Sequence, residues 1–313
     1  MRRVLLLGKN GQVGWELQRA LAPLAELIAL DRRGVPAPSP ELGAASAEKR
    51  LCGDLGLLEQ LEDTVRALTP DVIVNAAAYT AVDKAETDEE AARAINAIAP
   101  GVLARLCAEV GAWMVHYSTD YVFDGTGTKP WRETDATGPL SVYGKTKLEG
   151  EERIRASGCR HLILRTSWVY GARGANFPKT MLRLAAEREA LRVIDDQIGA
   201  PTGADLLADV TAHALRGMEA RPDLGGTYHV AAKGETSWFG YARFVIDAAR
   251  EHGWSFKVAR GGVSPVPSSA YPLPARRPGN SRLNCEKFEQ AFTLRMPDWR
   301  RGIERLLGEL SPA

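Results

Sequence analysis

The chain opens on a short continuous apolar run, Val4-Leu5-Leu6-Leu7, that breaks into Gly8-Lys9-Asn10-Gly11-Gln12-Val13-Gly14. Trp15, Leu17, Leu21 and Leu24 then follow at spacings that share one helix face. An apolar run of that kind is expected of a central parallel strand, buried on both faces. A glycine-rich turn between such a strand and a helix lets backbone N–H groups approach a phosphate, with the helix N-terminus adding partial positive charge. The same glycines also suit a plain structural turn. Their placement, directly after a strand and opening a helix, is what a dinucleotide-binding fingerprint requires.

The pattern then repeats. Leu27 to Leu30 is a second strand ending at Asp31, about 20 residues beyond the glycines, where an acid can accept from an adenosine ribose. Arg32 and Arg33 follow at once and could instead hold a 2′-phosphate, so the residues suit NADPH and NADH alike; as a bland alternative, Asp31 is a turn or cap residue. Residues 35–47 are rich in Pro, Ala and Ser and read as a surface loop. Leu51 to Leu55 reads as a third strand running into a turn, and 55–68 as an amphipathic helix stopping before Thr69-Pro70. Val72 to Asn75 is a fourth strand, giving way to Ala76-Ala77-Ala78, small enough for a flat cofactor or for close helix packing. Residues 88–110 read as helical with a break at Pro100, Trp113 to Tyr117 as a fifth strand, and Leu162 to Leu164 as a sixth.

Strands alternating with helices predict an α/β, doubly wound parallel (Rossmann-type) sheet. The alternation weakens after Trp168, and a chain of 313 residues exceeds what one small core needs. We therefore expect a dinucleotide-binding domain over residues 1–168, with 203–224 returning to it, and a smaller α+β substrate lobe from 169–202 and 225–313. Within that lobe helices are expected near 176–188, 237–252 and 298–310, and a strand over 191–194.

Composition excludes several classes. Formal net charge is +1, which offers no broad electrostatic reason to bind nucleic acid or an anionic membrane. The N-terminal apolar run is too short for a signal peptide, and no run approaches a membrane span. Cys52, Cys107, Cys159 and Cys285 are far apart without a C-x-x-C and suit small apolar packers in a reducing cytoplasm. The five histidines are scattered too, which argues against a structural zinc site.

The chemistry concentrates between Ser118-Thr119-Asp120-Tyr121 and Tyr143-Gly144-Lys145-Thr146-Lys147. Tyr143 and Lys147 are four apart and share one face of a helix. A free phenol has a pKa of about 10, and an ammonium one turn away is expected to lower it. The phenol can then protonate a developing alkoxide. Thr119, at the carboxyl end of the fifth strand, could place a hydroxyl beside the same oxygen. Ligands of open α/β sheets bind at that edge, which Gly8 and Ala76 share. Downstream, Arg276, Arg277 and Arg282 lie in a proline-crowded stretch. They could reach a pyrophosphate or form a solvated basic loop.

Together these residues resemble the extended short-chain dehydrogenase/reductases, and within them the dTDP-4-dehydrorhamnose reductase family. Residues 8–18, 75–83, 116–125, 143–147, 165–170, 196–202 and 275–278 carry the resemblance, which spans essentially the whole chain. The glycine loop and the Tyr–Lys pair mark the superfamily; the segments around Thr119, Trp168 and Arg276-Arg277 are more particular. The resemblance implies hydride transfer from NADPH or NADH to the C4 carbonyl of dTDP-4-dehydro-β-L-rhamnose. It places Gly11, Gln12 and Val13 on the pyrophosphate, Asp31 on the ribose, Asp54 and Leu55 at the adenine, and Ala78, Tyr79 and Thr80 further along. Tyr143 becomes the proton donor, with Lys147 tuning it and contacting the nicotinamide ribose. Thr119, Asp120 and Trp168 meet the sugar, and Arg276 and Arg277 the phosphates. A homodimer is implied, and in some members a Mg2+ whose ligands the sequence does not place.

Three rivals stand beside this reading. A dehydratase on the same fold would carry two adjacent carboxylates after the threonine, but Asp120 is followed by Tyr121. An epimerase needs the same hydride apparatus. A non-catalytic subunit resembling the regulatory subunit of methionine adenosyltransferase would bind a dinucleotide without turnover; the intact Thr119, Tyr143 and Lys147 set favours an enzyme.

Overall fold

The computed structural model describes residues 2–36 and 50–310. Six strands form one sheet: β1 (Arg3–Leu7), β2 (Glu26–Leu30), β3 (Val72–Asn75), β4 (Trp113–Thr119), β5 (Arg160–Thr166) and β6 (Gly226–His229). Their spatial order is β6-β5-β4-β3-β1-β2, every pairing parallel. The longer helices are α1 (Gln12–Leu21), α2 (Leu58–Leu68), α3 (Ala99–Val110), α4 (Val142–Ala156), α5 (Phe177–Glu187), α6 (Ala204–Ala220), α7 (Trp238–Glu251), α8 (Glu286–Phe292) and α9 (Trp299–Leu310).

Alternate strand residues feed two separate cores. Val4, Leu6, Val74 and Val115 pack with Leu17 and Leu21 of α1 and Leu207 and Leu215 of α6. Leu5, Leu7, Ile73 and Met114 pack with Leu61 and Val65 of α2 and Leu103 and Leu106 of α3. Burial on both faces explains why these strands read as unbroken apolar runs. β1 has β2 on one side and β3 on the other. The winding reverses there, and the crevice it opens lies above the carboxyl end of β1. A third core joins α5, α7 and α9 with Leu191 and Val193. Strand Leu191–Ile194 pairs there with Val263–Val266.

Several expectations are corrected. Residues 51–55 contribute no strand to the sheet. Arg50–Leu51 pairs antiparallel with Val35–Pro36, and the Cys52 N–H donates to the Thr64 hydroxyl at 2.8 Å instead of a ladder. The rest of the loop read over 35–47 lies outside the described residues from position 37. Pro100 does not break its helix. Glu89–Arg93 runs through a π-helical segment, Ala94–Ile98, into α3, where Pro100 sits in the first turn; a proline there forfeits no bond of the following helix. The segment from 225, assigned to the smaller lobe, instead begins with β6, which extends the main sheet beside β5. Tyr228 anchors it in the first core. Helix α8 was not anticipated. Among the described residues no helix is long and apolar enough to cross a membrane.

Candidate active site

The turn after β1 is shaped by two close approaches. Gly8 takes φ +85°, and a Cβ there would lie 2.7 Å from the Ala77 backbone nitrogen. At Gly14 a Cβ would lie 2.1 Å from the Gly8 carbonyl oxygen. Gly11 is the N-cap of α1; its helix has no side-chain cap bond and no acid in its first turn. The partial positive charge of that helix end is therefore left for an anion. Val13 packs against the first core. The Gln12 Oε1 accepts from Asn176 Nδ2 at 2.9 Å, so its side chain bridges to the cap of α5.

Asp31, ending β2, serves the turn and faces the glycine loop at once. One oxygen accepts from the Arg33 N–H at 2.8 Å, and the other from the Asn10 amide. Arg32 is exposed. Asp54 accepts from the Gly56 N–H at 2.9 Å, and Leu55 is buried beside it. Ala76 and Ala78 are half-buried, Thr80 is exposed, and the Ala76 N–H continues the sheet by donating to Leu7 O at 3.0 Å. Tyr79 is clamped by Asn96 of the π-helical segment, whose Oδ1 accepts from Tyr79 N–H at 2.9 Å and whose Nδ2 donates to Tyr79 O at 3.1 Å. The Tyr79 hydroxyl donates to Asp88 at 3.0 Å. Asn96 also donates to the Thr146 hydroxyl at 3.2 Å, tying this strip to α4.

Helix α4 starts where the Ser141 hydroxyl caps the Gly144 N–H at 3.2 Å. Tyr143 meets the ring of Tyr121 edge-on at 5.5 Å. Burial pushes the Tyr143 phenol up to about 12, the Thr119 hydroxyl pulls it back, and Asp120 adds to the rise. Thr119 and Tyr143 thus converge. Lys147 is also held from the sheet. Its Nζ donates to Tyr117 O at 2.6 Å and lies 3.1 Å from His116 Nε2. Burial brings its ammonium down to about 8, with Glu151 opposing.

Asp120 follows directly. Its Oδ1 accepts from Thr119 at 3.2 Å, while its buried Oδ2 has no partner. Burial pushes this carboxyl up to about 6, with Ser281 and Thr119 pulling down. Beneath the site Glu151 is fully buried. It is held by a fork from Arg165 at 2.9 and 2.7 Å, by Ser118 at 2.6 Å and by Arg155 at 3.1 Å. Burial alone would raise Glu151, but these donors leave it below the usual carboxylate range.

The opposite wall comes from distant segments. Trp168 takes a left-handed backbone, φ +50°, and stacks on Trp238 with centroids 3.7 Å apart. Trp238 Nε1 donates to Gln197, which donates to Ser268, each at 3.0 Å. The arginine loop is not a free basic loop. Arg277 forks onto Asp83 at 3.0 and 2.7 Å, and Arg282 pairs with Glu235 at 2.6 Å. Arg276 is exposed. Asn280 stitches the loop to the segment after Thr119 by donating to Thr126 O and Lys129 O. The sequence reading gave no role to His116, Asn96, Asp83 or Trp238; all act through partners more than ten residues away, which spacing does not reveal. Among the described residues no group of three or more His, Cys, Asp or Glu is placed to hold a metal ion.

Comparison with known proteins agrees with this geometry. The family model of the RmlD substrate binding domain matches residues 1–311. A dTDP-4-dehydrorhamnose reductase of Escherichia coli strain K12 is 55% identical over 307 residues, covering 98% of this chain and 97% of that protein. One from Burkholderia thailandensis is 46% identical, covering 96% of each. Among solved structures, the dTDP-4-dehydrorhamnose reductase of Bacillus anthracis strain Ames in complex with NADP superposes with a TM-score of 0.84. It is 33% identical and covers 98% of this chain and 99% of that one. The reductase ortholog of Clostridium acetobutylicum also gives 0.84, at 32% identity over 99% of this chain and 100% of that one. A glycine turn at the switch point, a Thr119–Tyr143 pair above it and near-full-length identity to these enzymes together establish that this chain belongs to the dTDP-4-dehydrorhamnose reductase family.

Proposed function

We propose that this chain reduces the C4 carbonyl of dTDP-4-dehydro-β-L-rhamnose to the alcohol of dTDP-β-L-rhamnose. The observation that carries the reading is the meeting of the Thr119 hydroxyl and the Tyr143 phenol at the carboxyl edge of the sheet. The uncapped α1 N-terminus, with Gly8, Gly11, Gln12 and Val13, suits a pyrophosphate. Asp31 and Arg32 stand at the adenosine ribose, Asp54 and Leu55 at the adenine, and Ala76, Ala78, Tyr79 and Thr80 along the nicotinamide half. A reduced nicotinamide dinucleotide bound there supplies the hydride. Thr119 and Tyr143 stabilise the negative charge that develops on the sugar oxygen, and Tyr143 gives that oxygen its proton. A phenol raised to about 12 keeps its proton until an alkoxide, a stronger base, is generated beside it. Asp120 and Trp168 hold the sugar, and Arg276 and Arg277 serve its phosphates, Arg277 from its seat on Asp83.

Residues 1–168 with 203–224 carry the dinucleotide half in this reading, and 169–202 with 225–313 the sugar half, β6 excepted. A homodimer in the cytoplasm completes it. The test is dinucleotide oxidation, followed optically, when the keto sugar is added to the pure protein. Net oxidation separates a reductase from an epimerase, and running NADPH and NADH side by side ranks the two. Tyr143→Phe is expected to lose about 100- to 1000-fold in kcat with binding retained. Near wild-type turnover by that variant removes Tyr143 from the chemistry. No turnover by the wild type, with tight association to a synthetase, replaces the enzyme by the regulatory-subunit reading.

A further inference from the structure

Three polar side chains are buried in line behind Tyr143: Asn75 ending β3, His116 on β4 and Lys147 on α4, none more than 2% exposed. Asn75 Oδ1 accepts from the Ala77 N–H at 3.1 Å. That bond orients the amide, so Nδ2 faces His116 Nδ1 at 3.2 Å. An amide nitrogen only donates, which makes Nδ1 the accepting nitrogen of the ring. His116 is neutral, since burial holds its pKa well below the usual value. A neutral imidazole has one proton, and here it belongs on Nε2. Nε2 points at Lys147 Nζ, 3.1 Å away. An ammonium has no lone pair with which to receive that proton; an amine does, and can still donate to Tyr117 O.

We propose that Asn75 and His116 are positioning residues that hold Lys147 as a neutral amine in the ligand-free site and so keep the Tyr143 phenol loaded. The second half rests on the reductase reading above; the first does not. Burial already brings Lys147 down to about 8, and a donor aimed at Nζ favours the amine further. The other ionisable groups around it do not reverse this. Glu151, one turn along α4, favours the ammonium but is already forked by Arg165 and bonded by Arg155. Tyr143 on the same helix stays protonated, and Asp120 closes β4. The π-helical segment Ala94–Ile98 contributes no ionisable residue. Charging Lys147 requires the ring proton to move to Nδ1, the Asn75 amide to rotate and the Ala77 N–H bond to break. Ala77 backs directly onto Gly8.

Long-range nitrogen–proton correlation of the imidazoles in the ligand-free full chain reads the tautomer, with His116 assigned from His116→Gln. The Nε2–H form is expected at pH 7. Asn75→Asp places an acceptor before Nδ1 while retaining one for Ala77, so the ring proton is expected on Nδ1. Lys147, followed by its Cε signal and assigned from Lys147→Met, should then titrate higher by about one pH unit or more. His116→Gln offers an acceptor to the ammonium and should shift Lys147 the same way, which keeps the test open if Asn75→Asp does not fold. A wild-type Nδ1–H tautomer, or a Lys147 titration unmoved in a folded variant, overturns the proposal. None of these signals needs turnover, so failure of the reductase reading would show separately, in the oxidation assay.

Discussion

The two walls of the crevice are built on different principles. The sheet wall places Gly8, Asn75, His116 and Thr119 at neighbouring strand ends whose registers are set by parallel pairing. The charged groups behind it, Glu151 and Arg165, are almost wholly buried. The opposite wall is stitched from Trp168, Gln197, Trp238, Ser268 and Arg277. Hydrogen bonds and a ring stack hold it, and its ion pairs reach solvent. The difference teaches where rigidity resides. The first wall is a consequence of the sheet, whereas the second is assembled from side chains of distant segments, with Trp168 and Trp238 resting on the third core.

Substitutions can break or sharpen that contrast. The largest effect is expected from Glu151→Leu, which strands the Arg165 guanidinium in the interior. Loss of one partner of a buried pair costs about 3–5 kcal/mol, to be read by denaturant unfolding. Asp120→Asn comes next and is diagnosed by pH. The carboxyl sits at about 6 in the folded chain against an ordinary 3.8. Between those values the folded state binds the extra proton, so wild-type stability should fall as pH rises from about 4 to 6 and then level off. The asparagine variant should lack that slope and gain on the order of 2–3 kcal/mol relative to wild type above pH 6. A parallel slope in both proteins would relocate the titrating group. The smallest effect belongs to the second wall. Asp83→Asn releases the Arg277 fork, but Asp83 is 37% exposed, so after solvent screening stability should change by no more than about 1 kcal/mol. The loss should appear in KM for the nucleotide sugar with kcat kept; an equal fall in kcat would assign the pair to the sheet wall.

The same contrast separates what the sequence reveals from what it hides. Val4 to Leu7, Val72 to Asn75 and the Tyr143–Lys147 spacing are local patterns, and each element forms where its period places it. Thr119 could be put on the correct edge because strand direction alone determines that. The sheet partners of Lys147 went unseen because the i,i+4 rule describes neighbours on one helix. It is silent about Tyr117 O and His116, which reach Nζ from the sheet. β6 was misplaced because four residues, Gly226 to His229, carry too little pattern to say which sheet they join. Trp168 acquired a role only through resemblance, and the chemistry of Arg277 left two roles open; their partners, Trp238 and Asp83, are 70 and 194 positions away in the chain, beyond what periodicity can encode.

The clamp on Glu151 has a consequence for how the chain can vary. Sliding α4 by a single turn would carry a naked carboxylate into hydrocarbon and abandon a guanidinium on β5, so the helix has only one seat on the sheet. Tyr143 and Lys147 ride on that helix and inherit its alignment. The contours of the opposite wall can drift over time while Tyr143 and Lys147 stay where the interior charges moor them.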